Sequence, residues 1–263
     1  MQSYTFIGHS TFLYEFPRFF LLIDYFRDEA GVLATIQDDP RPLLCLATHS
    51  HHDHFNADIL RFQRQACIYY ALDKSCKHSW SKKLWGPYSD YPLLWLKAGE
   101  AYDLGEDLTG LSPNEEDAQA FEGLKLSCYH STDEGSAFLF NYQGELIFHA
   151  GDLNDWDWQD EDSPAMELDF RKSLESLWDD LEGRQIDYAF FPLDERLGPN
   201  CFKGPAYFLE YFQPRHFIPM HNFGENRAQA ELQALYGEKR ISDIQSALEP
   251  GERVFTASSK HCG

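Results

Sequence analysis

The stretch LATHSHHDHF, residues 46–55, places four histidines and one aspartate within six positions, directly after an apolar run. His49, His51 and Asp53 occupy alternate positions, so at an extended strand end their side chains point the same way. His54 joins them only if the chain turns there, as it does where a strand ends and a helix follows. The pattern predicts two adjacent metal ions, one on His49 and His51 and the other on Asp53 and His54. A solvated histidine-rich loop is the alternative interpretation.

Three other predicted strands also end in a polar residue that suits a metal. His130 closes the apolar run LKLSCYH, Asp152 follows the strand in ELIFHAGD, and His221 closes RHFIPMH. Taken singly, each would be interpreted as a turn residue or as a core histidine whose hydrogen bonds are made within the protein. Taken together, their recurrence at strand ends favours one shared site. Cys128 has the same strand parity as His130, but we assign it to the core.

The composition limits the classes of molecule that this protein is expected to bind. The chain has 263 residues with 43% hydrophobic content, enough for a substantial core. Its 43 acidic and 22 basic residues leave a formal charge of -21, which repels nucleic-acid phosphates and anionic membrane surfaces. We therefore expect a small-molecule substrate, no nucleic-acid partner and no membrane association, and we leave a homo-oligomer open.

Cysteine usage and the N-terminal sequence both indicate the cytoplasm. The six cysteines are scattered without a CxxC pair, which is typical of reduced, mostly buried thiols. The stretch MQSYTFIGHS lacks the basic and apolar regions of a signal peptide. No segment approaches the roughly 20 apolar residues that a membrane-spanning helix needs.

Hydrophobic patterning predicts an α+β fold in one domain, residues 1–263. Short apolar or alternating runs form two series of strands, each followed by helices. The clearest helix begins at Ser163-Pro164 and ends at Gly183. The polar segment 105–123 is expected to be an exposed loop or lobe. This order suggests two mixed β-sheets packed together and flanked by helices.

The motif order resembles the metallo-β-lactamase superfamily. THSHHDH, a later strand-end histidine, HAGD and a final PMH follow one another as in that superfamily, over about residues 3–224. The resemblance implies the four-layer αββα sandwich known as the metallo-β-lactamase fold. The opening FIGHSTFLYE with LLIDYF further resembles the branch near the L-ascorbate-6-phosphate lactonases.

The resemblance also implies a complete ligand set for two divalent ions, with zinc expected and manganese or iron as alternatives. The first ion would be held by His49, His51 and His130, the second by Asp53, His54 and His221, with Asp152 bridging the two. His130 lies in YHSTDEGSAF, which departs from the usual glycine-flanked motif. If His130 points elsewhere, the first site is incomplete.

A dinuclear site of this kind suits hydrolysis. Two divalent ions about 3.5–4 Å apart can bridge a hydroxide at neutral pH, and Asp53 is the residue expected to orient it. The predicted function is hydrolysis of a small ester, lactone or phosphodiester. An RNA-processing nuclease of the same superfamily is one alternative, and a non-catalytic metal-binding sensor or scaffold is another.

Other polar residues carry weaker expectations. His9 in GHS is either a substrate or ligand contact or a core histidine, and Asp24 is expected to support the histidine loop from behind. Arg196 and Lys203 either bind an anionic part of the substrate or belong to the surface. Trp156, with Trp158, either walls the cleft or packs beneath the following helix. Two further histidines are expected outside the site: His52 in solvent and His149 in the core.

Overall fold

The structure is a computed structural model. It describes residues 1–79, 91–111, 115–160, 162–222, 227–237 and 242–256. The chain divides into two compact units, each containing one seven-stranded mixed sheet. The first unit comprises Met1–Trp95, Asp103–Leu124 and Leu248–Gly263. The second comprises Leu96–Tyr102 and Lys125–Ala247.

The sheet of the first unit has the strand order β14-β1-β2-β3-β4-β5-β6. Its strands are β1 (Ser3–Gly8), β2 (Thr11–Glu15), β3 (Phe20–Ile23), β4 (Leu43–Ala47), β5 (Ile68–Asp73), β6 (Leu93–Leu96) and β14 (Arg253–Phe255). β1, β2 and β3 pair antiparallel, whereas β3, β4 and β5 pair parallel. The sequences FLLI of β3 and LLCLA of β4 are buried throughout, as expected for parallel strands covered on both faces.

Short helices complete the first unit. They are α1 (Cys76–Ser79), α2 (Leu104–Thr109), α3 (Glu115–Ala118) and the 3-10 helices Leu33–Ile36, Ala57–Arg61 and Gln119–Phe121. The segment 105–123, predicted to be an exposed loop or lobe, therefore contains helices in its described residues, which are mostly exposed as predicted. Leu108 and Phe121 are fully buried, so a few apolar residues anchor the segment although most of its residues are polar. Asp103 caps α2 by accepting the Glu106 N–H.

The sheet of the second unit has the order β13-β12-β11-β10-β9-β8-β7. Its strands are β7 (Ala101–Asp103), β8 (Leu124–His130), β9 (Ser136–Tyr142), β10 (Glu145–His149), β11 (Tyr188–Pro192), β12 (His216–Met220) and β13 (Asp243–Ile244). β9 and β10 form an antiparallel pair. β10, β11, β12 and β13 are successively parallel, so the chain crosses over between them.

The crossovers of the second unit contain its helices, which are the 3-10 helix Glu195–Phe202, α4 (Ser163–Leu181), α5 (Lys203–Phe212) and α6 (Arg227–Gly237). α4 has proline in its first turn and buries Phe170, Leu174, Leu177 and Leu181. The helix ends where Glu182 and then Gly183 adopt left-handed backbone, as the predicted glycine stop requires.

The two seven-stranded mixed sheets with their helices confirm the predicted α+β architecture. That residues 1–263 form a single domain stays a prediction. Among the described residues, none of the helices combines the length and apolar content needed to cross a membrane. The five cysteines in the described residues are free thiols, four of them buried, as predicted. Cys262 lies outside the described residues.

Candidate metal centre

The histidine motif of the first unit lies at the carboxyl end of two parallel strands. Asp24 follows β3, and Thr48 and His49 follow β4. Because β3 and β4 are parallel neighbours, these residues leave the sheet at the same edge, and the Asp24 N–H donates to the Leu46 carbonyl at 3.0 Å. Carboxyl ends of parallel strands are where α/β sheets place their ligands.

Asp24 organises this edge. Its fully buried carboxylate accepts the Thr48 N–H at 2.8 Å and the Thr48 hydroxyl at 2.8–2.9 Å. The same carboxylate lies 2.8 Å from Nδ1 of His54, which fixes the ring so that Nε2 faces the other way. The expectation that Asp24 supports the histidine loop is confirmed.

His49 and His51 present two ring nitrogens to one point. Nδ1 of His49 lies 3.0 Å from the Thr48 hydroxyl, which leaves Nε2 as its ligand atom. That Nε2 is 3.1 Å from Nδ1 of His51. Two nitrogens on one tetrahedral zinc ion, each about 2.0–2.1 Å from it, would be about 3.3 Å apart. The pair therefore has the spacing of two ligands to one ion.

Asp53, His54 and His9 form the adjoining group, with donor atoms within 4.8 Å of one another. The chain turns here as predicted, because the His54 N–H donates to the His51 carbonyl at 3.0 Å. Nε2 of His9 lies 3.2 Å from the Asp53 carboxylate. Burial raises the pKa of the Asp53 carboxyl, but the His9 hydrogen bond and the charges of His54 and His9 outweigh it. The pKa of Asp53 therefore lies well below its usual value.

The second unit places three polar residues at the carboxyl ends of adjacent parallel strands. Asp152 follows β10, Asp194 follows β11 and His221 follows β12. Nε2 of His221 lies 3.4 Å from the Asp152 carboxylate, and its Nδ1 lies 3.2 Å from the Asp194 carboxylate. Asp194 thus lies beside Nδ1 of His221, the position that Asp24 has beside Nδ1 of His54 in the first unit. All three residues are buried.

The charge state of Asp194 follows from its partners. Burial raises the pKa of this carboxyl, but hydrogen bonds from His221 and Arg196 more than compensate and hold the pKa well below its usual value. Arg196 donates through Nε to both Asp194 oxygens at 2.9 Å. The Lys203 ammonium is likewise paired with the Asp157 carboxylate. Binding of an anionic substrate group by Arg196 or Lys203 stays a prediction.

The loop after β10 is held rigidly around Asp152. The Asp152 carbonyl accepts the Trp156 indole N–H at 2.8 Å, and the buried Trp156 ring meets His221 edge-on with centroids 5.5 Å apart. Trp158 stacks on Trp156 and is 46% exposed. Trp156 therefore packs beside His221, and its role as a wall of the cleft stays a prediction.

His149 and His130, which lie outside the histidine motif, differ in burial. His149 is fully buried and stacks on Phe190, as predicted for a core residue. His130 is the last residue of β8 and is exposed, and in the described part of the chain it joins no cluster of metal-binding side chains. Its predicted place in the first metal site stays a prediction. His52 is exposed beside Phe26, as expected.

The donor sets of both units fit a divalent metal. They consist of imidazole nitrogens and carboxylate oxygens, the ligands of catalytic zinc, manganese and iron sites. In His49 and His54 the nitrogen opposite the candidate ligand atom is hydrogen-bonded to a buried oxygen, of Thr48 and of Asp24, and Nδ1 of His221 lies 3.2 Å from the Asp194 carboxylate. Metal-binding histidines typically have this support. The residues could therefore hold metal without rearranging their partners.

A family model described as "Beta-lactamase superfamily domain" matches residues 3–166, more than half of the chain. The chain belongs to the β-lactamase superfamily. With its buried histidine and aspartate donors, this member is a metal-dependent hydrolase, as predicted, and its fold is the metallo-β-lactamase fold. A comparison with curated proteins found no match.

Several solved structures are similar to this chain over almost its whole length. Igni18, a metallo hydrolase from Ignicoccus hospitalis, is 16% identical with a TM-score of 0.67, covering 97% of this chain and 98% of that one. YhfI from Bacillus subtilis is 11% identical with a TM-score of 0.58, covering 97% and 99%. CmlA, a diiron β-hydroxylase from Streptomyces venezuelae, is 10% identical with a TM-score of 0.61, covering 97% of this chain and 54% of CmlA.

Sequence reasoning missed the roles of Thr48 and Asp194. Thr48 directly precedes His49, and Asp194 follows the strand YAFFP, so both have the strand-end position that identified the ligands. The sequence did not reveal the hydrogen bond between Thr48 and His49, nor the contact between Asp194 and His221, which come from separate strands.

Proposed function

We propose that this chain is a dinuclear metal-dependent hydrolase of small esters, lactones or phosphodiesters. Its ligands are proposed, as the resemblance to the superfamily implies, to be His49, His51 and His130 for one ion, Asp53, His54 and His221 for the other, and Asp152 between them.

The pairing of His49 with His51 is the observation that carries the proposal. Their ring nitrogens lie 3.1 Å apart, one buried and one exposed, so the site is both fixed and accessible to a ligand from solvent. The distance is that of a hydrogen bond between the two rings and also that of two ligands on one ion. Asp24 and Thr48 hold the arrangement from behind.

When bound, two divalent ions supply a water of lowered pKa and polarise the oxygen of the bond to be cleaved. The protein's own side chains orient the groups that react. Asp53, kept ionised by His9, accepts a hydrogen bond from the attacking water and directs it at the substrate. His221 lies between Asp152 and Asp194, and the two carboxylates restrain the orientation of its ring.

Zinc is the metal we propose, and manganese or iron are the alternatives for the same nitrogen and oxygen ligands. CmlA shares the fold and is a diiron enzyme. The GHS and LID motifs support a further proposal, that the substrate resembles those of the L-ascorbate-6-phosphate lactonase branch. A phosphorylated sugar lactone is therefore the first substrate to test.

The test compares the wild type with two histidine variants. His51→Gln removes a proposed ligand, whereas His52→Gln changes an exposed neighbour in the same loop and serves as the matched control. Metal content per chain is measured by mass spectrometry. Turnover is measured on bis(p-nitrophenyl) phosphate, p-nitrophenyl acetate, a phosphorylated sugar lactone and an RNA oligonucleotide.

We expect about two ions per chain in the wild type and in His52→Gln, with turnover of at least one small substrate. His51→Gln should lose metal and at least about 100-fold of that turnover. Two ions without turnover of any substrate would favour the sensor or scaffold, and cleavage of RNA alone would favour the nuclease. Equal metal content in all three proteins would refute the ligand assignment.

A further inference from the structure

An aromatic groove lies between α4 and α5 in the second unit, and none of the residues that line it is a proposed metal ligand. Its aromatic walls include Trp178 of α4 and Tyr207 and Tyr211 of α5. Trp178 is 52% exposed and Tyr211 is 56% exposed. The cavity, here called the α4–α5 groove, has a volume of about 130 Å³. A cavity of roughly 150 Å³ can hold a benzene molecule, so this groove has room for a ligand group of similar bulk.

The groove follows from the spacing of residues along the two helices. On α4, Arg171, Glu175 and Trp178 recur at intervals of four and three residues, and on α5 Tyr207 and Tyr211 are four apart. Side chains with this spacing lie on one face of a helix. Each helix therefore presents one stripe of side chains to the same cavity.

Contacts with buried rings hold the aromatic walls in place. Trp178 meets the buried Phe212 ring edge-on, with centroids 5.7 Å apart. Tyr207 meets the buried Phe170 ring in the same way at 5.8 Å. Tyr211 stacks on Tyr207, with centroids 4.5 Å apart. The rings are thus anchored on one side, while the exposed faces of Trp178 and Tyr211 are presented to solvent.

The charges along the groove favour a cation. The Arg171 guanidinium lies 4.6 Å from the centre of the Tyr207 ring, so one aromatic wall already contacts a cation. Arg171 is itself paired with Glu167 at 2.6 Å. Glu175 and Asp179 also line the groove, and within the described residues neither carboxylate belongs to an ion pair. The charge that is not compensated in the groove is therefore negative.

This combination selects among the possible occupants. A second copy of the chain that docked by the same face would bring identical carboxylates together, which opposes a symmetric dimer. A metal ion needs more ligand atoms, and in the described part of the chain Glu175 and Asp179 join no cluster of three metal-binding side chains. A quaternary ammonium group carries positive charge, has no N–H to satisfy and binds well to aromatic faces.

We propose that the α4–α5 groove binds a small molecule that carries a quaternary ammonium group. The methyl groups pack against Trp178 and Tyr211, and the positive charge faces Glu175 and Asp179. Because both carboxylates are exposed, the affinity falls as salt is added. The inference goes beyond the proposed function and does not depend on it, since it involves no metal ligand.

The experiment measures binding of choline to the purified full chain by isothermal titration calorimetry. The matched ligand is the neutral carbon analogue of choline, in which a tert-butyl group replaces the trimethylammonium group. It has the same shape without the charge, so it separates attraction of a cation from burial of methyl groups. Methylguanidinium serves as a cation of different shape.

Two groove variants are compared with two controls. Trp178→Leu removes an aromatic face but stays apolar, and Glu175→Gln removes a charge with little change of shape. Trp158→Leu changes an exposed tryptophan outside the groove, and Asp169→Asn changes an exposed carboxylate of α4 that does not line it. Circular dichroism checks that each variant folds. Glu175→Gln keeps the test valid if Trp178→Leu is unstable, because Glu175 is exposed.

We expect saturable binding of choline to the wild type, with the carbon analogue and methylguanidinium at least about tenfold weaker. Each groove variant should bind choline at least about fivefold more weakly, whereas both controls should bind it as the wild type does.

Several results would overturn the inference. These are no saturable binding of choline, equal affinity for choline and its carbon analogue, or equal affinity for choline and methylguanidinium. Wild-type affinity in both groove variants would also do so, as would an equal loss in a control variant. Light scattering adds one more such result, because a wild-type dimer that dissociates in Trp178→Leu would show that a second copy occupies the groove.

Discussion

Three residues of the candidate site have left-handed backbone although none is glycine. His9, Asp24 and His221 have φ angles of 56°, 54° and 61°. Each such residue costs on the order of 1–3 kcal/mol, which the surrounding structure must offset. Here the offset comes from hydrogen bonds and packing that hold the side chain in place, and strain of this kind is common where function requires one orientation.

Replacing Asp24 by asparagine tests its role as a positioning residue. Asparagine tolerates left-handed backbone, so the turn is preserved, but the negative charge facing Thr48 and His54 is lost. We expect zinc binding to weaken by about 10–100-fold, since the orientation of His54 is less well fixed. Competition with a chromophoric chelator measures the zinc affinity of the variant and of the wild type. Asp73→Asn, another buried carboxylate at a strand end, is the control and should bind zinc as the wild type does.

Asp39 provides a prediction about pH that is independent of the metal. Hydrogen bonds from Arg41 at 2.7–3.0 Å lower the pKa of its carboxyl against the opposing effect of burial. A depressed pKa stabilises the fold above the unfolded value of about 3.9, and the stabilisation is lost as the pH falls below that value. The melting-temperature difference between the wild type and Asp39→Asn should therefore be largest near neutral pH and shrink below about pH 4. A constant difference would contradict this.

At the scale of elements, α5 and the loop after β10 depend on each other through Gly204. Gly204→Ala would force its methyl group into the Asn154 amide, so we expect a loss of about 1–3 kcal/mol in the free energy of unfolding, with weaker metal binding. Urea denaturation measures the first effect. Gly110 ends α2 with ordinary helical backbone and open space around it. Gly110→Ala should therefore leave stability unchanged or slightly higher.

The apolar face of α4 gives a second prediction at this scale. Leu177 is fully buried, whereas Leu168 on the same helix is 53% exposed. Leu177→Ala should cost about 2–5 kcal/mol, because it leaves a cavity in the core, and Leu168→Ala should cost far less. Similar losses in both variants would show that the helix does not bury the face predicted from its periodicity.

At the scale of the whole molecule, metal and stability are linked. The formal charge of -21 means that binding two divalent cations relieves repulsion among carboxylates as well as forming ligand bonds. Free zinc at 1,000 times its dissociation constant would stabilise the folded state by about 4 kcal/mol. We therefore expect treatment with EDTA to lower the melting temperature and added zinc to restore it. His51→Gln should show a smaller shift, and an unchanged melting temperature in the wild type would argue against structural coupling.

The superfamily, the two series of strands and the strand-end candidates for the metal site could all be predicted from the order of residues along the chain. These follow from local order, because an apolar run is buried as a strand and the polar residue after it must leave the sheet. Parallel neighbours such as β10, β11 and β12 then bring such residues to one edge. The course of α4 was also predictable, since its periodicity and caps lie within twenty residues.

The hydrogen bonds that support the candidate ligands became visible only in three dimensions. Asp24 and His54 are thirty residues apart, and Asp194 and His221 come from different strands, so no local pattern pairs them. The segment 105–123 forms helices because a few of its apolar residues find buried partners, which its polar composition conceals. Hydrogen bonds of this kind depend on distances in three dimensions, and spacing along the chain does not contain them.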